Sequence, residues 1–174
     1  MIKMRYKDIP KFTRSSQYCV NVRLKDFKNT IDEFTLEYGL QLNPKFQRGH
    51  KWSEEQQIAF IEFLLKGGKC ESIKFNKPSW MSFNDCKDYD EMVCVDGLQR
   101  STAILRFVNG EIKVFGCYWD EFDKPAQRRL SILVDVNDLK TEKEVLQWYV
   151  DLNSGGTIHT KQEIEKVENM IKEL

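Results

Sequence analysis

The four apolar residues Met92-Val93-Cys94-Val95 run directly into Asp96-Gly97, and a helical stretch follows over residues 99–108. A short apolar run reads as a buried strand, and the spacing after it is helical. The chain therefore has to make a strand–glycine–helix junction here. Glycine permits a sharp turn and a close backbone approach to a ligand. The first turn of a helix leaves N–H groups unpaired and carries partial positive charge, which suits phosphate. Arg100 adds a forked donor that matches phosphate oxygens, with the hydroxyls of Ser101 and Thr102 in the same turn. Asp96 offers a carboxylate to magnesium, which prefers carboxylate and phosphate oxygens. As a purely structural residue, the same aspartate would cap the helix.

The remaining pattern predicts an α+β domain with short mixed strands and about five helices. Residues 1–17 are polar and mixed and read as an N-terminal arm, with the domain over 18–174. A strand is expected at 18–24, then a helix presenting Phe27, Ile31, Phe34 and Tyr38, stopped by Gly39. Residues 40–42 suggest a second short strand. After a Pro/Gly loop at 43–52, Ser53 and Gln56 form a capping box for a helix with Ile58, Ile61, Leu64 and Leu65 on one face. A strand is expected at 72–76, and a hairpin pairing 80–83 with 91–95 across the polar turn 84–90. The helix through Val108 stops at Asn109-Gly110, followed by a strand at 111–118, a short helix within 120–129 and a strand at 130–136. Two more capping boxes, Thr141 with Glu144 and Thr160 with Glu163, start two final helices, with a tight turn at 153–157 between them.

The charge is balanced, 27 basic against 27 acidic side chains, which argues against a surface coated for nucleic acid but leaves room for a local patch. The five cysteines have no zinc-type spacing, and the histidines are only His50 and His159, so no structural zinc is expected. The odd cysteine count points to reduced thiols and a cytoplasmic protein. No signal-length or membrane-length apolar run occurs, so no membrane partner is expected.

Three separated motifs carry a resemblance. Asn43-Pro44-Lys45-Phe46-Gln47-Arg48, followed by Trp52, resembles an aromatic-Gln-Arg…Trp signature. Val95-Asp96-Gly97-Leu98-Gln99-Arg100 resembles an Asp-Gly-Gln-Gln-Arg motif, and Leu152-Asn153-Ser154-Gly155-Gly156 with Thr160 to Glu163 resembles an Ile-Asn-Thr-Gly-Gly…Glu-Leu segment. Together, in order, they resemble the GmrSD-type domain, the N-terminal part of modification-dependent restriction enzymes, within the wider ParB/sulfiredoxin-like group. The resemblance spans roughly residues 20–168. It implies a ParB/sulfiredoxin-like fold in which the Asp-Gly-Gln-Gln-Arg region binds and hydrolyses nucleotides. Carried over by position, Asp96, Gln99 and Arg100 become the catalytic candidates. Gln47, Arg48, Gly97, Arg100, Ser101, Thr102, Asn153, Gly155 and Gly156 become the nucleotide-binding candidates, with Asp96 for Mg2+.

Two departures from the family pattern stand out. Leu98 replaces the first glutamine of the motif and removes a polar group. It also stands where sulfiredoxins carry their reactive cysteine, which excludes sulfinic acid reduction. The His-Asn-His nuclease domain of the longer enzymes is absent from these 174 residues, which suggests a short stand-alone copy of phage or mobile-element type.

Three functions follow as expectations. The first is an NTP-binding protein with magnesium-dependent phosphoryl transfer or hydrolysis, linked to restriction or anti-restriction. The second is a non-catalytic regulatory module for DNA or for a restriction-system protein. The third is a ParB-like nuclease. Several side chains keep two readings. Trp52 stacks on a base or packs in the core; His50 carries a proton or faces solvent. Gln47 and Gln99 orient a ligand or bond to turns, and Lys124, Arg128 and Arg129 touch nucleic acid or form a solvated face. Cys94 is expected to be packed and inert.

Overall fold

Alternation along the strands and three- to four-residue spacing along the helices sort the apolar side chains into two layers on either side of one sheet. In a computed structural model the described residues are 9, 12–13, 18–47, 49–80, 89–123, 130–153 and 161–174, with 161–163 as backbone only. They form strands β1 (Tyr18–Arg23), β2 (Ile73–Asn76), β3 (Val93–Asp96) and β4 (Ser131–Asn137). The helices are α1 (Leu24–Tyr38), α2 (Glu54–Leu65), α3 (Leu98–Val108), α4 (Glu142–Asn153) and α5 (Lys161–Glu173). The expected α+β class, with five helices and a mixed sheet, is what these residues adopt.

The sheet order is β1-β4-β2-β3. β4 lies antiparallel to β1 and parallel to β2, and β2 lies antiparallel to β3 with a register irregularity between Lys74 and Phe75. Successive strand residues point to opposite faces. Cys94 joins Phe75, Val134, Phe27, Ile61 and Phe107 in the layer under α1, α2 and α3. Its neighbours Val93 and Val95 join Phe46, Leu146, Trp148, Tyr149 and Val167 in the layer under α4 and α5. Each such side chain, fully buried, contributes about 1.5–3 kcal/mol. β3 is thus sandwiched on both faces, which is why its sequence is a continuous apolar run rather than an alternation.

The helix signals act as read. Gly39 adopts φ 65° and closes α1 with Leu40 N–H donating to Phe34 O at 3.1 Å. Ser53 and Gln56 form their box, as do Thr141 and Glu144. The Thr160–Glu163 box, and the 153–157 turn beyond Asn153, lie outside the described residues. Within the expected arm, Thr13 donates from N and Oγ1 to Asp151 Oδ2, each at 2.8 Å. No described helix is long and apolar enough to cross a membrane.

Three expectations are corrected. Residues 40–42 form only a single bridge, Gln41 to Val93. β3 pairs with β2; of the expected partner 80–83 only Trp80 is described, in a turn and packed against Tyr18, Phe34 and Tyr38 at ring distances of 5.3–5.7 Å, and 81–88 lie outside the described residues. Residues 111–118 make a tight turn, not a strand, because Phe115 and Gly116 both take positive φ (51° and 78°) between the bridged Val114 and Cys117. Of the helix expected within 120–129, the described part is a 3-10 turn at Trp119–Glu121, and 124–129 with Lys124, Arg128 and Arg129 lie outside the described residues.

Candidate functional site

The junction after β3 is built around Gly97, at φ 112°. A side chain there would meet Ile73 of β2 at 3.0–3.1 Å, so both the backbone angle and the close strand demand glycine. No side chain caps α3, and Asp96 is turned to another partner. Arg100 Nη2 donates to Asp96 Oδ2 at 2.7 Å, and Nη1 donates to the carbonyl of Glu71. The guanidinium is thereby gripped at both ends, with 13% of the side chain exposed. A fixed cation thus stands beside the open N–H groups of the first helical turn. Cys94, one strand position before Val95, is fully buried. Burial pushes its thiol pKa well up, with the Asp96 charge adding and Arg100 opposing, so it is packed and unreactive.

A cleft of about 440 Å³ opens over this junction. Its lining combines the polar group Asp96, Arg100, Glu71, Gln99 and Asn153 with the apolar Trp52, Phe60, Leu98, Tyr149 and Leu152. The structure gathers Gln47, Asp96, Gly97, Gln99, Arg100 and Asn153 on the cleft, as the motifs suggested for these positions. Ser101 and Thr102 are not on its lining. Ser101 is fully buried with its hydroxyl unpartnered, and Thr102 Oγ1 donates back to Leu98 O at 2.9 Å. Arg48, Gly155 and Gly156 lie outside the described residues.

The two motif glutamines serve the backbone. Gln47 Nε2 donates to Cys94 O and Val95 O at 3.1 and 3.0 Å, tying its loop to the edge of β3. Gln99 Nε2 donates to Gly49 O at 2.9 Å, while Oε1 accepts from Lys51 N and Trp52 N at 2.9 and 3.0 Å. One carboxamide thus brackets the whole 49–52 loop against α3. Trp52 is held in the cleft wall and also packs on Phe60, ring centroids 5.3 Å apart, so it is both wall and core.

Sequence reasoning missed Gln57 and Arg106. Gln57 is buried, and its Nε2 donates to Trp52 O at 3.2 Å. Arg106 Nη1 donates to Gln57 Oε1 at 3.0 Å, and its other nitrogens reach Glu54 at 2.8 Å and Glu111 at 3.2 Å. The available signal was Gln57 itself, a polar residue on the same helical stripe as Ile61 and Leu64. His50 lies on the same loop; partial burial, then the Arg106 charge, hold its pKa below the ordinary value.

For magnesium, Asp96 and Glu71 are the carboxylate residues among the described cleft lining, with Asp96 at the junction, and no group of three or more metal-type side chains occurs among the described residues. That donor set does not make a protein cage. It fits the magnesium habit of taking one carboxylate and completing its shell with water and substrate phosphates, through the Asp96 oxygen that Arg100 does not use.

Residues 24–170 match the family described as GmrSD restriction endonuclease, N-terminal domain. No curated protein and no solved structure matches the chain.

Proposed function

We propose, from the premise that this chain belongs to the GmrSD N-terminal domain family of restriction endonucleases, that its cleft binds a nucleotide by the phosphates. One observation carries the reading: the uncapped start of α3 opens into the cleft beside an arginine locked between Asp96 and Glu71. Open N–H groups and a pre-oriented guanidinium bind phosphate oxygens without a further ordering cost. Asp96 holds Arg100 in place and offers its free oxygen to a magnesium ion carried by the nucleotide, whose charge the metal would neutralise. The apolar lining of the cleft receives the rest of the ligand.

Recognition without turnover is the version favoured here: Gln99 spends its carboxamide on the 49–52 loop and the Gln47 amide nitrogen is spent on β3 backbone, while Leu98 supplies no polar group where the family motif has a glutamine. In a restriction system such a domain acts as a nucleotide-responsive module for DNA or for a partner protein.

The test is calorimetry with ATP, GTP, CTP and UTP plus magnesium, with phosphate release followed in parallel, on wild type, Arg100→Ala and Asp96→Ala. Saturable binding of at least one nucleotide, weakened about tenfold or more in Arg100→Ala, is expected. No binding to any of the four overturns the proposal. Phosphate release that disappears in Asp96→Ala would turn the module into a hydrolase.

A further inference from the structure

Trp52 is held from both sides of its own peptide. Its N–H donates to Gln99 Oε1 at 3.0 Å, and its carbonyl accepts from Gln57 Nε2 at 3.2 Å. Gln57 is 3% exposed, a carboxamide taken out of water on an otherwise apolar helix stripe. Burying a polar group is tolerated only when its bonds are made. Here its one acceptor is satisfied by Arg106 and its donor by Trp52. Arg106 is in turn fixed by Glu54 and Glu111, which raise its pKa, chiefly through the Glu54 hydrogen bond. The chain Glu54–Arg106–Gln57–Trp52 therefore links α2 and α3 to the Trp52 peptide, and Trp52 lines the cleft with its ring packed on Phe60.

We infer that Trp52 is the surface on which the base of the bound nucleotide stacks, and that Gln57 and Arg106 are the positioning residues that hold its peptide in the cleft wall. The inference rests on the nucleotide reading of the cleft. Aromatic rings bind bases by stacking, and stacking needs the ring plane fixed before the ligand arrives. On the nucleotide reading the phosphates fall to Arg100 and the α3 N-terminus, whose hydrogen bonds do not involve Gln57. Base recognition and phosphate recognition are thus carried by separate bonds, and loss of the Gln57 chain acts on the first alone.

The experiment measures dissociation constants for ATP, GTP, CTP, UTP and inorganic tripolyphosphate, each with magnesium. It uses wild type, Gln57→Leu, Arg106→Met and Trp52→Ala. Wild type is expected to prefer its best nucleotide over tripolyphosphate by about tenfold or more. All three variants are expected to lose most of that preference while their tripolyphosphate constants stay within about twofold. Arg106→Met alters a partly exposed side chain and breaks the same chain at its next bond, which guards against a folding defect in Gln57→Leu. An unchanged preference in Gln57→Leu and Arg106→Met, or an equal loss for nucleotide and tripolyphosphate, overturns the inference alone. Equal wild-type affinity for nucleotide and tripolyphosphate overturns it too. A wild type that binds neither kind of probe removes the nucleotide reading itself.

Discussion

The two walls of the cleft are held by different kinds of bond. The α3 wall is mainly local: Asp96, Gly97 and Arg100 lie within five positions and the ion pair spans i to i+4, with the Glu71 carbonyl as a distant second grip on Arg100. The loop wall is held across the chain by Gln99, which bonds residues 49–52, with Gln57 adding a bond to Trp52 five positions before it. The Asp96–Arg100 pair can form as soon as its helix does. A bracketed wall forms only when two separate segments have met. The first is set by backbone geometry and the second by a few side-chain–backbone bonds, so the two should fail in different ways when altered.

Gly97→Val tests the local wall most severely. It forces a β-branched residue to φ 112° and drives its Cβ to 3.0–3.1 Å from Ile73. The expected loss is about 3 kcal/mol of global stability, read from denaturant unfolding. A near-native midpoint would mean that the junction is not the constrained element described. Gln99→Leu should act on the other wall and more gently. It strips partners from Gly49 O, Lys51 N and Trp52 N, at a cost of about 1–3 kcal/mol. Hydrogen exchange should show faster exchange at Lys51 and Trp52 with α3 still protected; equal acceleration in both would erase the distinction between the walls.

The smallest effect is electrostatic. The His50 pKa lies below the ordinary value of about 6.5, through burial first and the Arg106 charge second. A lowered histidine favours the neutral form in the folded state. Its contribution to stability is therefore present above the ordinary value and lost as pH falls through the folded one. In Arg106→Met, an NMR titration of the His50 ring should move partway back up toward the ordinary value. No movement would place Arg106 too far from the loop to steady it.

Helix boundaries were legible because their signals are local: Gly39 at the end of α1, Ser53 with Gln56 at the start of α2, Thr141 with Glu144 at the start of α4. Strand pairing was less so. Residues 80–83 and 91–95 look like hairpin partners, yet Trp80 is drawn into the rings of Tyr18, Phe34 and Tyr38. Asp90, meanwhile, is pinned by Lys77 at 2.7 Å and by Ser79 N at 3.1 Å. Its own burial opposes ionisation, but the Lys77 and Ser79 hydrogen bonds win and lower its pKa. Residues 111–118 have strand composition, but a positive φ at Phe115 folds them back. In the site, the motif containing Asp96 and Arg100 was readable at i, i+4 spacing. For Gln99 the sequence left a ligand and a turn as equal readings, and the role of Gln57 was not legible, since no residue pattern marks which backbone atoms of the 43–52 loop a carboxamide meets.

The strand order carries a consequence for how the chain is made. β1 and β2 share no edge: each pairs with β4, which lies between them. β4 spans Ser131–Asn137, after β1, β2, β3 and α1 to α3 in the chain. A ribosome therefore finishes three strands and three helices before the strand that joins them has been synthesised. Until then β1 and the β2–β3 pair share no sheet bonds and are joined through the Gln41–Val93 bridge and the packing of their helices, with edges bare that β4 will cover, the state in which nascent chains associate wrongly. The cleft over β3 and α3 has its polar junction early but Tyr149, Leu152 and Asn153 late, and a chain stopped before residue 131 lacks both the central strand and that part of the lining.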